Sequence, residues 1–224
     1  MTRARRGEGV SRGARRAAGF VLRAAGPRAV RSGARAIDVG MMLRAMTLAR
    51  HAARRGEVPV GAVVYRGREV LTEHANDRET TGDPTGHAEL VAMREAGRLR
   101  GAWRLSDCSL AVTLEPCAMC AGAIVNARMG RVFFGAHDPK AGACGSLWTI
   151  PADGRLNHRP PIVAGILARP CGRQLTAFFA RRRQERSASR GAASRGAASS
   201  RGGTAPRDAS TSPSPSASRS TTVA

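Results

Sequence analysis

Residues 108–137, "CSLAVTLEPCAMCAGAIVNARMGRVFFGAH", decide how this chain folds. The opening "CSLAVTL" (108–114) is a short apolar run with strand character. Residues 117–129, "CAMCAGAIVNARM", have the length and composition of a helix and stop at Gly130. "RVFFGAH" (131–137) is again apolar almost without a break, as in a strand covered on both faces. Strand, helix and strand in so short a span make a β-α-β crossover, which joins parallel strands.

The pattern continues outward on both sides. "IDVGMMLRAMTLARHAARR" (37–55) carries Met42, Leu43, Met46, Leu48 and Ala49 at helical spacing, and Gly56 stops it. Residues 57–76 read as a β-hairpin turning at Arg66, Gly67 and Arg68. "PTGHAELVAMREAG" (84–97) is an apolar-faced helix, "PPIVAGI" (160–166) a fifth strand, and residues 171–186 a last helix. Leu175, Phe178 and Phe179 are the expected buried stripe of that helix. The sum is a three-layer α/β/α sandwich around a mixed sheet of about five strands.

Composition divides the 224 residues into three parts. Residues 1–36 hold ten Arg against one Glu, and residues 187–224 are, apart from Asp208 and Val223, Ser, Arg, Gly, Ala, Pro and Thr without an aromatic; both are expected to be disordered extensions. The tail repeats "RGAAS" at 190–194 and 195–199. Residues 37–186 form the expected domain, with 22 Lys and Arg against 14 Asp and Glu, a net charge of +8 within a chain total of +21. That balance suits a polyanionic partner such as nucleic acid, or is a solvated surface. Five Cys in a chain of this size are no disulfide framework, so a reducing cytoplasm is expected. No window approaches the ~18 apolar residues of a membrane span. The Arg-rich start resembles an organellar transit peptide but is poor in Ser; initiation at Met41 or Met42 is the alternative.

The chemistry lies at two helix starts. Cys117 and Cys120 stand at i and i+3, facing one way, with Pro116 at the expected first helical position. A helix N-terminus favours thiolates, and two thiolates on one turn are half a zinc site. By itself C-x-x-C is more often structural or redox-active. His87 is the histidine at a helix start that can complete the set, leaving one coordination position open, as catalytic zinc sites do. Glu89, two residues on, reaches the same place if His87 is in the irregular lead-in to the helix. A carboxylate beside an acidified water can move its proton to a departing group, which is the chemistry of hydrolytic deamination.

With these residues the chain resembles the bacterial tRNA-specific adenosine deaminases of the cytidine-deaminase-like fold, which carry H-x-E followed by P-C-x-x-C. The resemblance runs from about Val39 to Glu185. It is carried by "RRGEVPVGAVV" (54–64), "DPTGHAE" (83–89), "TLEPCAMCAGA" (113–123), "FGAHDPKAGACGS" (134–146), "NHR" (157–159) and "FFARRRQE" (178–185). It implies that His87, Cys117 and Cys120 bind one Zn²⁺ per subunit and that Glu89 shuttles the proton. It also implies that Asn76 hydrogen-bonds the flipped adenine, that Val60 and Ala88 wall the pocket, and that Asp138 and Lys140 contact anticodon-loop nucleotides. The substrate it implies is adenosine 34, the wobble base of the arginine tRNA with anticodon ACG, converted to inosine with release of ammonia by a homodimer. Gly86 stands where Ala is common in the family, a change expected to loosen the start of the helix by up to ~1 kcal/mol.

Lys140, the single lysine beside 36 arginines, lies in a small-residue loop that a phosphate could approach closely, or is there by chance of composition. Arg181–Arg183 are a phosphate clamp or a solvated face. A free-base or nucleotide deaminase acting on guanine or cytosine would share the zinc chemistry without needing the basic segments. A zinc-stabilised RNA-binding module would leave Glu89 without a role.

Overall fold

The computed structural model describes residues 35–199, with side chains to residue 190. Most of the 1–36 extension and residues 200–224 lie outside the described residues. The elements in chain order are α1 (Ala36–Arg54), β1 (Gly61–Arg66), β2 (Glu69–Ala75), the single turn α2 (Arg78–Thr81), α3 (Ala88–Arg100), β3 (Ser109–Leu114), α4 (Ala118–Asn126), β4 (Arg131–Ala136), β5 (Ile162–Val163) and α5 (Ala168–Ser199). The sheet order is β2-β1-β3-β4-β5. β1 is antiparallel to β2 and β3, whereas β3, β4 and β5 are parallel. The expected five-stranded mixed sheet and crossover are therefore present.

Two-residue alternation along the central strands sorts the core into two layers. Ala62, Val64, Leu110, Val112, Val132 and Phe134 pack with Ala88, Ala92 and Met93 of α3 and Ile124 of α4. Val63, Tyr65, Ala111 and Phe133 pack with Met41, Met42, Ala45 and Met46 of α1 and Cys171 of α5. The helices thus cover both faces, giving three layers.

Local chemistry moves several boundaries. The buried side of α1 is Met42, Ala45, Met46, Ala49 and Ala52, and the expected Leu43 is 53% exposed. α4 ends at Asn126 instead of Met129, because Arg128 takes the left-handed conformation (φ 54°). The amides of Arg128 and Met129 then close on the carbonyls of Val125 and Ile124, a Schellman stop without glycine. β5 shrinks to two residues because Pro160 and Pro161 offer no N–H, although the Pro161 carbonyl still accepts from Val132 at 3.0 Å. α5 buries Phe178 but leaves Phe179 44% exposed: the stripe runs Cys171, Leu175, Phe178 at i, i+4, i+7, which turns residue 179 outward. The same helix continues to Ser199, past the boundary expected at residue 186. Once a helix is nucleated, Ala and Arg extend it at little cost per residue, which carries it past Gly191 and Gly196.

Arg35 and Ala36, assigned by composition to the extension, begin α1. Asp38 reaches back to the Arg35 amide (2.8 Å) and accepts the Tyr65 hydroxyl (2.7 Å), with no part of it exposed. This buried pair ties the first turn of α1 to β1. Tyr65→Phe would leave the Asp38 carboxylate short of a donor, so a loss of about 1–3 kcal/mol in urea-unfolding free energy is expected. In an Asp38→Ala background the same change should cost measurably less.

Candidate active site

The site forms where α3 and α4 begin. His87 and Cys117 are the residues just ahead of these helices, both with extended backbone (φ −83°, ψ 137° and φ −72°, ψ 176°). Cys117 is therefore not within the helix, and Pro116 precedes it instead of occupying the first helical position. The change has a use: the Pro116 carbonyl accepts the Ala143 amide (2.8 Å), docking a loop beside the site. A cap side chain folds back toward the third helical residue, here the buried Cys120. His87 Nδ1 stands 3.7 Å from Cys117 Sγ and 3.5 Å from Cys120 Sγ. The three donor atoms lie within 4.8 Å of one another.

An imidazole nitrogen and two sulfurs match the borderline-soft preference of Zn²⁺, and three protein donors leave a position for water or substrate. Without a metal, the Cys117 thiol is pushed down to about 4, chiefly by the hydrogen bond from Cys120, with His87 assisting against burial. Cys120 is pushed up, first by donating to Cys117 and then by burial. The Cys117 hydrogen bond raises His87. Glu89, 4% exposed in the first turn of α3, is raised by burial, and Cys120 lies within its hydrogen-bonding reach. A dication in this cluster would displace the shared protons.

Asn76 is bonded to Val60, which belongs with Ala88 to the core layer beneath α3. Asn76 follows β2, is 6% exposed and donates its backbone N–H to the Val60 carbonyl (2.9 Å). Val60 and Ala88 share one core cluster. The Asp77 amide bonds the Gly86 carbonyl (3.1 Å), which brings the Asn76 segment against the approach to His87. Gly86 does not loosen that approach. A Cβ there would come within 2.5 Å of Asp77 Oδ1 and 3.1 Å of the Arg78 backbone, so the missing side chain permits the contact.

Asp138 and Lys140 line a cleft of about 600 Å³ together with Val58, Leu175, Phe179 and Arg183. The Asp138 carboxylate serves its own loop, accepting the amides of Lys140 (2.9 Å) and Ala141 (3.3 Å). The arginine run divides. Arg181 donates to the Ala53 carbonyl (3.3 Å) and Arg182 to the Gly56 carbonyl (3.5 Å), securing α5 to the end of α1, while Arg183 faces the cleft. Cys144 and Cys171 belong to no metal cluster among the described residues, and burial pushes their thiols up to about 12 and about 11.

Glu115 escaped the sequence reading. Fully within the core, it accepts the amides of Asp138 (3.1 Å), Cys144 (3.0 Å) and Ser146 (2.9 Å) and the Ser146 hydroxyl, and His137 Nδ1 lies 3.2 Å away. One carboxylate thus organises the loop carrying Asp138 and Lys140. Gly142 is where this loop passes closest, for a Cβ would fall 2.5 Å from Glu115 Cδ. The available signal was a charge between an apolar strand and Pro-Cys, where an unpaired carboxylate would be costly.

Residues 36–136 match the cytidine and deoxycytidylate deaminase zinc-binding region. The chain is 43% identical over 149 residues to the tRNA-specific adenosine deaminase of Bacillus subtilis (strain 168), covering 66% of this chain and 92% of that protein. The chain belongs to the tRNA-specific adenosine deaminase family. Another family member, from Haemophilus influenzae, is 43% identical over 150 residues, 66% of this chain and 87% of its own. A solved structure from studies of A-to-I editing by tRNA:A34 deaminases aligns with a TM-score of 0.59 at 38% identity, over 61% of this chain and 99% of that one. A guanine deaminase from Nitrosomonas europaea, 20% identical with a TM-score of 0.54 over 63% of this chain and 84% of its own, shares the family's fold.

Burial would raise the Glu115 carboxyl, but hydrogen bonds from the Ser146 hydroxyl and amide and from the Asp138 and Cys144 amides outweigh it and hold the group low. A carboxyl lowered in the folded state stabilises above its unfolded value, about 4.3, and that stability is lost as pH falls through the folded value. Acid titration followed by circular dichroism should show stability falling below about pH 4.3. Glu115→Gln should flatten that limb and lower stability at neutral pH.

Proposed function

We propose that this chain converts adenosine to inosine at wobble position 34 of the arginine tRNA with anticodon ACG, releasing ammonia. The observation that carries the reading is the convergence of His87 Nδ1 with the Cys117 and Cys120 sulfurs beside the buried Glu89, in a member of this family. His87, Cys117 and Cys120 would hold one Zn²⁺ per subunit. Zinc, when bound there, supplies the acidity that makes water a nucleophile near neutral pH.

Glu89 takes a proton from the attacking water and passes it to the purine ring, then protonates the leaving amine. The C6–O bond forms first as the ring nitrogen is protonated, and the C6–N bond breaks once the amine is protonated, so water and adenosine give inosine and ammonia. A buried carboxyl with a raised pKa suits both halves of that exchange. Asn76 hydrogen-bonds the flipped adenine, Val60 and Ala88 wall the pocket, and Asp138 and Lys140 contact neighbouring anticodon-loop nucleotides. Lys140 and Arg183 on the cleft, with Arg78 and Arg186 lining a pocket that adjoins it at Val58 and Phe179, offer phosphates a basic rim.

The folded domain that begins at Arg35 carries this chemistry as a homodimer in the cytoplasm, with the Arg-rich start and the Ser-rich end of the chain as extensions. Among the described residues no helix is long and apolar enough to cross a membrane.

The full chain incubated with an ACG anticodon stem-loop should yield inosine at the wobble base alone, read by sequencing. Ammonia from guanine or cytosine with an untouched stem-loop would assign it instead to free-base deamination. Glu89→Ala should keep its zinc by metal analysis while turnover falls by about 10²- to 10⁴-fold; unchanged turnover would remove Glu89 from the mechanism.

A further inference from the structure

Glu57 lies outside the metal cluster, yet it is fully buried just ahead of β1. Its Oε2 accepts the Asn76 side-chain Nδ2–H at 3.0 Å. Its Oε1 accepts both the backbone amide (2.6 Å) and the hydroxyl (2.7 Å) of Thr80. Burial alone would raise this carboxyl, but the bonds from Thr80, the Glu79 amide and Asn76 outweigh it and hold it below the ordinary range. Glu57 is therefore an anion with acceptors only.

That determines how Asn76 stands. An asparagine amide has a donor edge and an acceptor edge, and a neighbouring anion admits only the donor. Nδ2 must face Glu57, which turns Oδ1 away from it. Among the described residues nothing bonds Asn76 Oδ1, and it is not among the buried atoms without a partner. Arg55 holds the Asn76 carbonyl at 3.3 Å and the Asn76 amide is held by Val60, so the backbone is fixed as well.

We propose that Glu57 is a positioning residue for base recognition, fixing the Asn76 amide so that its Oδ1 edge and second N–H are presented to the purine in one orientation. The proposal rests on the deaminase reading given above and deepens it. Its consequence is specific. In Glu57→Gln, the Thr80 amide is backbone and cannot turn round, so the glutamine oxygen must remain facing it. The glutamine NH₂ then faces Asn76, which can satisfy it only by flipping its own amide, reversing donor and acceptor at the pocket.

The test is a double-mutant cycle with the full chain on the ACG stem-loop, using wild type, Glu57→Gln, Asn76→Ala and the double variant, with zinc content and thermal unfolding measured alongside. Glu57→Gln is expected to keep its zinc and lower kcat/KM by about ten- to a hundredfold. That loss should vanish in the Asn76→Ala background, whereas a purely structural role would lower activity equally in both. Thr80→Val, which removes one donor to Glu57 at an exposed position, carries the same cycle if Glu57→Gln does not fold, with a loss of about three- to tenfold. Losses that multiply independently, or wild-type activity in the single variants, would overturn the proposal while leaving the deaminase reading standing. A wild-type chain that makes no inosine would overturn both.

Discussion

Parallel pairing of β3 with β4 is the constraint on which the rest depends. The register sets Leu114 opposite Ala136, and the Glu115 amide adds one more bond to the Ala136 carbonyl (2.8 Å) before the chain leaves the sheet. Two residues later Cys117 opens α4 at the carboxyl end of the strands, where open α/β sheets place their sites. The adjacent loop returns to the same edge and is held there by Glu115. α3 begins at the cluster too, so the positive ends of two helix dipoles meet at His87, Cys117 and Cys120.

Four buried acids show how environment assigns different work to similar groups. Asp38 joins α1 to β1 through Tyr65. Glu57 and Glu115 are surrounded by donors, so their carboxyls are held low and act near neutral pH as anions bonded to a side chain and a loop. Glu89 is buried without such a set of donors, and desolvation raises it. Burial thus sets Glu89 apart from the other two glutamates, whose donors hold the charged form in place.

α5 links this chemistry to the basic surface. Arg181 and Arg182 bond carbonyls at the end of α1, and Phe178 packs inward, so the helix is seated against the domain. Seating it turns Phe179 and Arg183 toward the cleft that Lys140 shares. An arginine run that looks uniform in sequence is thus divided by helical rotation into anchors and a cleft-facing cation.

The fold class, the crossover, the hairpin and the pair of helix starts bearing His87, Glu89, Cys117 and Cys120 were legible in the sequence, because periodicity and spacing are local properties that a few adjacent residues express. Boundaries were less legible: Arg128 stops α4 where Gly130 was expected, and Phe179 faces outward, since each outcome depends on neighbours that the helix meets in three dimensions. The partners of Glu57 and Glu115 were invisible. Asn76 lies 19 residues from Glu57, and Ser146 lies 31 from Glu115, separations over which sequence pattern carries no pairing information. Gly86 read as a weakness at the start of a helix and proved to be the space that Asp77 and Arg78 occupy. The sequence by itself determined which chemical groups stand at the helix starts. Only the tertiary structure decided in which carboxylates donors outweigh burial and in which burial outweighs donors, because desolvation and hydrogen bonding act through space between segments distant along the chain.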